Sequence, residues 1–334
     1  MARRAAPHVA AKSRGLDVAA CQAEAFIRYF AQVPVIDLGL VEGCASRILA
    51  ICGGAHIDAS FKNLLGLGMI LLLRRTGQLA PEQPIVESTS GSFGEGLAVA
   101  GRLLGHPITL VSDPNLPALT RRKIELLGAA LDFVRLPHPV LGWQQAREDR
   151  VRELVDANAS WFWTDQNNSE LNPETYSTWL LPEVRKRIDP LDITAGVFGI
   201  GSGGHFSAIA SWLKEKNPAI RMIAADRFGS VTFGGKPGPS RLRGVGNQNI
   251  VPEVIRRRMH LVDDVELVSD GDAFRRVRQL AARGLFVGGS SGLVFEAARR
   301  VARRLHSGNI LTLFPDRGEL YADTIWNDQW LSTQ

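Results

Sequence analysis

A lysine and three small-residue turns carry the chemistry that can be read from this chain. Gly199-Ile200-Gly201-Ser202-Gly203-Gly204-His205 follows the apolar run 193–198 and opens a helical pattern over 206–216. A strand that turns through glycines into a helix aims several unpaired backbone N–H groups, and the positive end of the helix dipole, at one spot. A phosphate fits that spot. Ser88-Thr89-Ser90-Gly91-Ser92-Phe93-Gly94 makes a second such turn, between a strand over 84–87 and a helix over 95–104. Its hydroxyls join the backbone donors, which suits a carboxylate or a phosphate; a helix merely capped by serines is the plainer alternative. The third turn, Gly288-Gly289-Ser290-Ser291-Gly292, again leads into a helical pattern, 293–305.

The lysine is Lys62, in Ala59-Ser60-Phe61-Lys62-Asn63. Ser60 reads as the N-cap of a helix running to residue 73, which places Lys62 in the first turn. Among Phe61, Leu64 and Leu65, at the positive end of a helix dipole, its charged form is disfavoured both by the dipole and by burial. Such a lysine is a candidate nucleophile or base. The bland alternative is a surface lysine snorkelling at a helix start. The chain has 7 Lys against 32 Arg, so few other lysines compete for the role.

Two single-motif readings use only part of this set. Gly199-x-Gly201-x-x-Gly204, with Asp226 ending the strand after 222–225, matches a dinucleotide fingerprint. That unit begins behind another α/β unit and leaves Lys62 and the hydroxyl turn unexplained. Gly288-x-Ser290-x-Gly292 matches a nucleophile elbow, which needs an acid and then a histidine downstream. Only Glu296 and His306 follow in that order, the acid within the same helix as Ser290.

The elements that must position these residues alternate strand and helix along most of the chain: strands over 47–52, 84–87, 107–112, 131–136, 161–164, 193–198, 222–225, 262–268 and 309–314, with helices between. That rhythm means parallel sheets covered on both faces. Residues 1–20 read as a polar, Ala-rich mobile arm before a helix over 21–32. Residues 165–173 form a polar loop closed by Pro173, which reads as the start of a helix to 187. Residues 228–246, rich in glycine and proline, read as a long loop lining a site.

Composition narrows the class. At 334 residues and 45% hydrophobic content the chain can bury two domains around one cleft. The apolar run 64–73 is too short to span a membrane, and residues 1–16 lack a signal-peptide apolar region, so the cytoplasm is expected. Cys21, Cys44 and Cys52 have neither disulfide-framework nor zinc spacing, and no metal site is indicated. The net charge of +5 is scattered in short Arg pairs and triplets without a basic-aromatic stripe, which argues against nucleic acid and suits a small anionic substrate.

Taken together and in order, the lysine motif, Glu87-Ser88-Thr89-Ser90-Gly91-Ser92-Phe93-Gly94, Gly201-Ser202-Gly203-Gly204-His205 and Gly288-Gly289-Ser290-Ser291-Gly292 resemble the four signatures of the cysteine synthase / cystathionine β-synthase family of fold type II pyridoxal phosphate enzymes. The resemblance runs from about residue 33 to 330. It implies an α/β fold with two open, twisted, mostly parallel sheets, helices on both faces and the cofactor in the cleft between domains. It implies a smaller domain over 45–165 and a larger one formed by 1–44 plus 166–334. By position, Lys62 is the Schiff-base lysine, Gly201, Ser202, Gly203, Gly204 and His205 hold the cofactor phosphate, and Ser92 faces the ring hydroxyl. Ser290 faces the ring nitrogen, where a hydroxyl leaves the ring largely unprotonated and favours β-elimination over transamination. Thr89, Ser90 and Gly91, with Gln166, grip the substrate α-carboxylate. The family usually has Asn at Ser92 and Thr at His205.

Within the family, Asn168-Ser169-Glu170-Leu171-Asn172, residues 229–237, Val251-Pro252-Glu253 and residues 313–319 are similar to the 2,3-diaminopropionate branch, active in siderophore and peptide-antibiotic biosynthesis. This likeness implies β-replacement on O-phospho-L-serine through an aminoacrylate, with L-glutamate as nucleophile, giving N-(2-amino-2-carboxyethyl)-L-glutamate. Cysteine synthase is the alternative. Arg241, in the glycine-rich loop, is the expected partner of the leaving phosphate. The resemblance also implies a homodimer.

Overall fold

The computed structural model describes residues 18–55 and 60–333. Most of the arm expected over 1–20, and Ala59 of the lysine motif, lie outside the described residues. Val18 already belongs to a helix. The chain begins α1 (Val18–Ala31), β1 (Val35–Leu40), β2 (Ala45–Cys52) and α2 (Lys62–Arg75). It then alternates through β3 (Ile85–Ser88), α3 (Ser92–Leu104), β4 (Ile108–Ser112), α4 (Ala118–Leu126), β5 (Ala130–Phe133), α5 (Gly142–Ala157) and β6 (Phe162–Trp163). α6 (Leu171–Thr175), a π-helical turn (Tyr176–Leu180) and α7 (Leu181–Ile188) lead to β7 (Ile193–Gly199), α8 (Gly204–Lys216) and β8 (Arg221–Arg227). After the short α9 (Glu253–Arg256) come β9 (Asp264–Val268), α10 (Asp270–Ala281), α11 (Gly289–Leu305) and β10 (Ser307–Phe314).

The strands form two sheets. One has the order β5-β4-β3-β6 and is parallel throughout. The other has the order β1-β2-β10-β7-β8-β9 and is parallel except for the β1–β2 edge pair. Burial at all four positions of β3, and along the centres of β7, β8 and β10, shows both faces of each sheet covered. This is the fold type II arrangement expected from the sequence.

The first strand within the expected smaller domain, 45–165, stands in the six-stranded sheet. β2 pairs with β10 from Ala45–Ser307 to Cys52–Phe314 and so belongs to the six-stranded sheet. Ile48, Leu49, Ala50 and Ile51 are all buried, as an interior strand requires, but a local apolar run does not say which sheet will take it. The four-stranded sheet draws only on residues 85–163. The helix expected to start at Pro173 starts at Leu171, whose N–H is accepted by the Ser169 hydroxyl at 3.3 Å.

α2 is buried from Asn63 to Leu73, apolar on every side. It lies directly on α3. A Cβ at Gly96 would stand 2.4 Å from the Lys62 carbonyl oxygen, and one at Gly66 would stand 2.4 Å from the Gly96 carbonyl carbon. Two glycines thus let the backbones of these helices touch where α2 begins, which fixes the height of Lys62.

Candidate active site

Lys62 opens α2 at the floor of a cavity of about 250 Å³ where the two sheets' connecting turns converge. Ser60 accepts the Lys62 N–H at 3.2 Å, the Phe61 N–H donates to Pro315 at 2.9 Å, and Ser60 bridges Asp316. The chain entering α2 is therefore stitched to the end of β10. Burial pushes the Lys62 amine down to about 8, so its neutral fraction near neutral pH is far larger than that of an ordinary lysine. Lys62 lines the cavity, and its backbone carbonyl lies against Gly96.

The hydroxyl turn forms one wall. Ser88, Thr89, Ser90, Gly91 and Ser92 line the cavity, with Gln166 beside them. The Thr89 hydroxyl is occupied within the turn: it accepts the N–H groups of Gly91 and Gly94 at 3.0 Å each and donates to the Gly91 carbonyl at 3.3 Å. Thr89 therefore shapes the turn, while Ser90 and the backbone donors at the start of α3 remain for a ligand. Gly91 has φ +151 and ψ −96, a conformation open to glycine alone. Beneath the turn, Glu87 accepts four hydrogen bonds, from the Ser88 and Gln166 N–H groups, the Trp163 indole and the Thr164 hydroxyl. Burial pushes its carboxyl up to about 7 against these donors, which favour the charged form.

Gly201, Ser202 and His205 form the facing wall, at the start of α8. Gly203 and Gly204 shape that turn from behind and do not line the cavity. A Cβ at Gly201 would come within 2.7 Å of the Gly244 carbonyl, so the cradle depends on glycine's close approach. Asn172 donates to the Ser202 hydroxyl at 3.0 Å and to the Gln166 carbonyl at 2.7 Å, tying this wall to the hydroxyl turn. His205 sits among the rings of Phe61, Tyr176 and Phe198, with centroids 6.1–6.4 Å away. Burial, and then the nearby Lys62 charge, push it down to about 3, so it is a neutral imidazole. The Tyr176 hydroxyl, at the head of the π-helical turn, is buried without a partner.

Ser290 stands in the first turn of α11, nearly buried, on the cavity wall. Next to it the Gly288 N–H donates to the Asp316 carbonyl at 3.1 Å, and Tyr321 donates to the Asp316 carboxyl at 3.1 Å. Burial pushes Asp316 up to about 7, so its carboxyl is only about half ionised at neutral pH.

Arg241 does not join the site. It lies in a separate groove with Asp270, Phe274 and Arg275, its N–H donating to the Asp270 carboxylate at 2.6 Å. Ser240 also donates to that carboxylate, at 2.8 Å, while Leu242 is buried. The extended chain then brings Arg243, not Arg241, to the cavity. A second arginine there, Arg147 of α5, is buried and ion-paired with Asp113, and its Nε has no partner. Only the packing of α5 against β3 and β4 turns Arg147 inward. Glu87 and Asp316 sat inside recognised motifs, but nothing local marks them as buried. Among the described residues no cluster of three or more His, Cys, Asp or Glu could hold a metal, and no helix is long and apolar enough to cross a membrane.

The donor set fits pyridoxal phosphate. The first N–H groups of α8 have no partner inside the helix and, with the Ser202 hydroxyl, suit a phosphate without any cation. A partly neutral lysine amine suits an aldehyde. Residues 36–316 match the family described as pyridoxal-phosphate dependent enzyme. The chain is 36% identical over 259 residues to an N-(2-amino-2-carboxyethyl)-L-glutamate synthase of Ralstonia nicotianae, covering 77% of this chain and 75% of that one. It is 32% identical over 262 residues, with the same coverage, to the enzyme of that name from Cupriavidus metallidurans. A solved structure of an O-acetylserine dependent cystathionine β-synthase from Helicobacter pylori superposes with a TM-score of 0.81 at 29% identity, covering 89% of this chain and 97% of that one. With the matched span taking in Lys62, the 88–94 and 199–205 turns and Ser290, the chain belongs to the pyridoxal-phosphate dependent enzymes, and pyridoxal 5′-phosphate is its cofactor.

Proposed function

We propose that the enzyme catalyses β-replacement on O-phospho-L-serine, with the amine of L-glutamate as nucleophile, giving N-(2-amino-2-carboxyethyl)-L-glutamate on the way to L-2,3-diaminopropionate. The observation that carries the reading is the pair Arg147 and Arg243 on a cavity already built for two anions, in a chain whose relatives of that name match it over three quarters of their length. Both the leaving group and glutamate are anionic; Arg243 offers a fork of donors, and Arg147, already paired with Asp113, has its Nε unpartnered.

When bound, pyridoxal phosphate supplies an electron sink that acidifies the substrate Cα–H. In this reading Lys62 would hold the cofactor through its amine, and that amine, once free, would take the Cα proton. Gly201, Ser202, Gly203, Gly204 and His205 hold the cofactor phosphate with backbone donors and one hydroxyl, and Ser92 contacts the ring. Neutral His205 adds no charge beside Lys62. Ser290, with the positive end of α11 behind it, presents no anion to the ring nitrogen and keeps it unprotonated. Ser90, Gly91 and Gln166 hold the α-carboxylate in a turn maintained by Thr89. Arg243 accompanies the phosphate as it leaves with the Cβ–O electron pair. The glutamate amine would then form the Cβ–N bond and release a proton, and the Lys62 ammonium would return the proton it took to Cα. A cytoplasmic homodimer, with one smaller α/β unit carrying the carboxylate turn, completes the proposal on the strength of the family resemblance.

The test supplies the purified enzyme with O-phospho-L-serine or O-acetyl-L-serine, each with glutamate or sulfide, and follows products by mass spectrometry. The glutamate adduct from O-phosphoserine is expected. Efficient cysteine formation from O-acetylserine, with no glutamate adduct, would replace the reading with cysteine synthase.

A further inference from the structure

We propose that Glu87 is a positioning residue that sets the shape of the substrate α-carboxylate site and its distance from the phosphate turn. The inference rests on the proposed role of the 88–94 turn. Glu87 is the third residue of β3 and is enclosed by protein. Its Oε1 accepts the Ser88 N–H at 2.7 Å and the Trp163 indole N–H at 3.2 Å; its Oε2 accepts the Thr164 hydroxyl at 2.6 Å and the Gln166 N–H at 3.2 Å. Three of these four partners can only donate. Such a shell is made for a group with acceptors on both sides, and an amide in its place sets an NH₂ against at least one N–H.

The partners belong to segments far apart in sequence. Ser88 begins the hydroxyl turn, whereas Trp163, Thr164 and Gln166 follow a strand that pairs with β3 at only two positions, Ile85–Phe162 and Val86–Trp163. Where that ladder ends, the Glu87 carboxylate continues the connection through side-chain bonds. The chain then kinks at Asp165, a non-glycine residue at φ +46, and the next N–H is the one bound to Glu87. From Gln166 the connection continues: its carbonyl accepts from Asn172 at 2.7 Å, and Asn172 donates to the Ser202 hydroxyl at 3.0 Å. A single run of bonds, Glu87–Gln166–Asn172–Ser202, thereby joins the two anion-binding walls. A neutral residue at 87 of the same size could fill the space but could not hold both segments.

The holoenzyme of Glu87→Gln tests this. Titration with L-serine, which carries the α-carboxylate but no leaving group to expel, is followed by the visible absorbance of the bound cofactor, with L-serinamide as the ligand that lacks the carboxylate. The variant is expected to weaken L-serine by about tenfold or more, the worth of a net 1.4 kcal/mol of lost positioning, while leaving L-serinamide binding and cofactor content unchanged. In turnover KM rises and kcat changes less than threefold. Equal weakening of L-serine and L-serinamide, or a fall in kcat at constant KM, would overturn the proposal. Should Glu87→Gln fail to fold, Thr164→Val removes the shortest bond to Oε2; a wild-type L-serine affinity in that variant overturns the proposal as well. A wild-type enzyme that binds L-serine no better than L-serinamide would instead remove the carboxylate-site reading on which the inference stands.

Discussion

Replacing Gly96 by alanine sets a methyl group against the backbone of Lys62, the residue proposed to carry the reactive amine. The new Cβ would stand 2.4 Å from the Lys62 carbonyl oxygen and 3.1 Å from the Asn63 Cα, where ordinary contact distances are about 3.5 Å. No side chain is available to move aside, because both neighbours are backbone at the start of a fully buried helix. α2 and α3 must therefore part by about 1 Å. Overpacking of this kind costs roughly 1–3 kcal/mol of stability, and a displacement of about 1 Å at a reacting group costs about a hundredfold in rate. Gly101→Ala is the matched control in the same helix: its Cβ would meet Ile108 at 2.3 Å and the His106 carbonyl at 2.7 Å, at the end of α3 remote from Lys62. Denaturant unfolding and single-turnover kinetics on both holoenzymes separate the effects. Comparable losses of stability are expected, with the large loss of rate confined to Gly96→Ala. Wild-type turnover by Gly96→Ala, or an equal loss of rate in Gly101→Ala, would refute the reasoning.

Lys62→Met removes a buried amine held at about 8, against 10.5 in the unfolded chain. Between those values the unfolded wild-type apoprotein binds more protons than the folded one, so its stability rises with pH through that window and the variant lacks the rise. At pH 7 the variant apoprotein should be more stable, by up to about 3 kcal/mol; urea unfolding of both apoproteins at pH 7 and pH 10 checks this, and identical pH profiles would contradict the assignment. Arg243→Ala should lower kcat/KM for O-phosphoserine by about a hundredfold and for O-acetylserine only a few-fold, since a donor to a departing dianion is worth about 2–4 kcal/mol. Arg241→Ala, directed at the Asp270 groove, should leave both near wild type; a larger loss in Arg241→Ala than in Arg243→Ala would reverse the placement.

What the sequence disclosed was what short-range rules govern. The three turns are legible because glycine placement, strand-to-helix order and helix-terminus donors all act within a few residues, and Lys62 is legible because its apolar neighbours and the helix start adjoin it. Arg241 and Arg243 are two residues apart in one loop, and choosing between them needed the Asp270 carboxylate, some thirty residues further on, which draws the 240–241 segment outward. Gly96 was one glycine of a helix until α2 lay against it. β2 was a strand without a sheet until it paired with β10, over 250 residues away. Glu87 was the residue before a turn, and its hold on Gln166 depends on a parallel ladder that a single sequence does not show. Each of these misses is a long-range packing decision, where local propensity is silent.

Reduction of the purified holoenzyme with sodium borohydride fixes the pyridoxyl group to the lysine that holds it, and peptide mapping then reads the position directly. The chain has 7 lysines, so the outcome is discriminating. The expected result is loss of the visible absorbance with the pyridoxyl mass on the peptide that contains Lys62. A pyridoxyl group on Lys123 or Lys236, or a purified protein with no visible chromophore and nothing to reduce, would contradict the placement of the cofactor in this cleft.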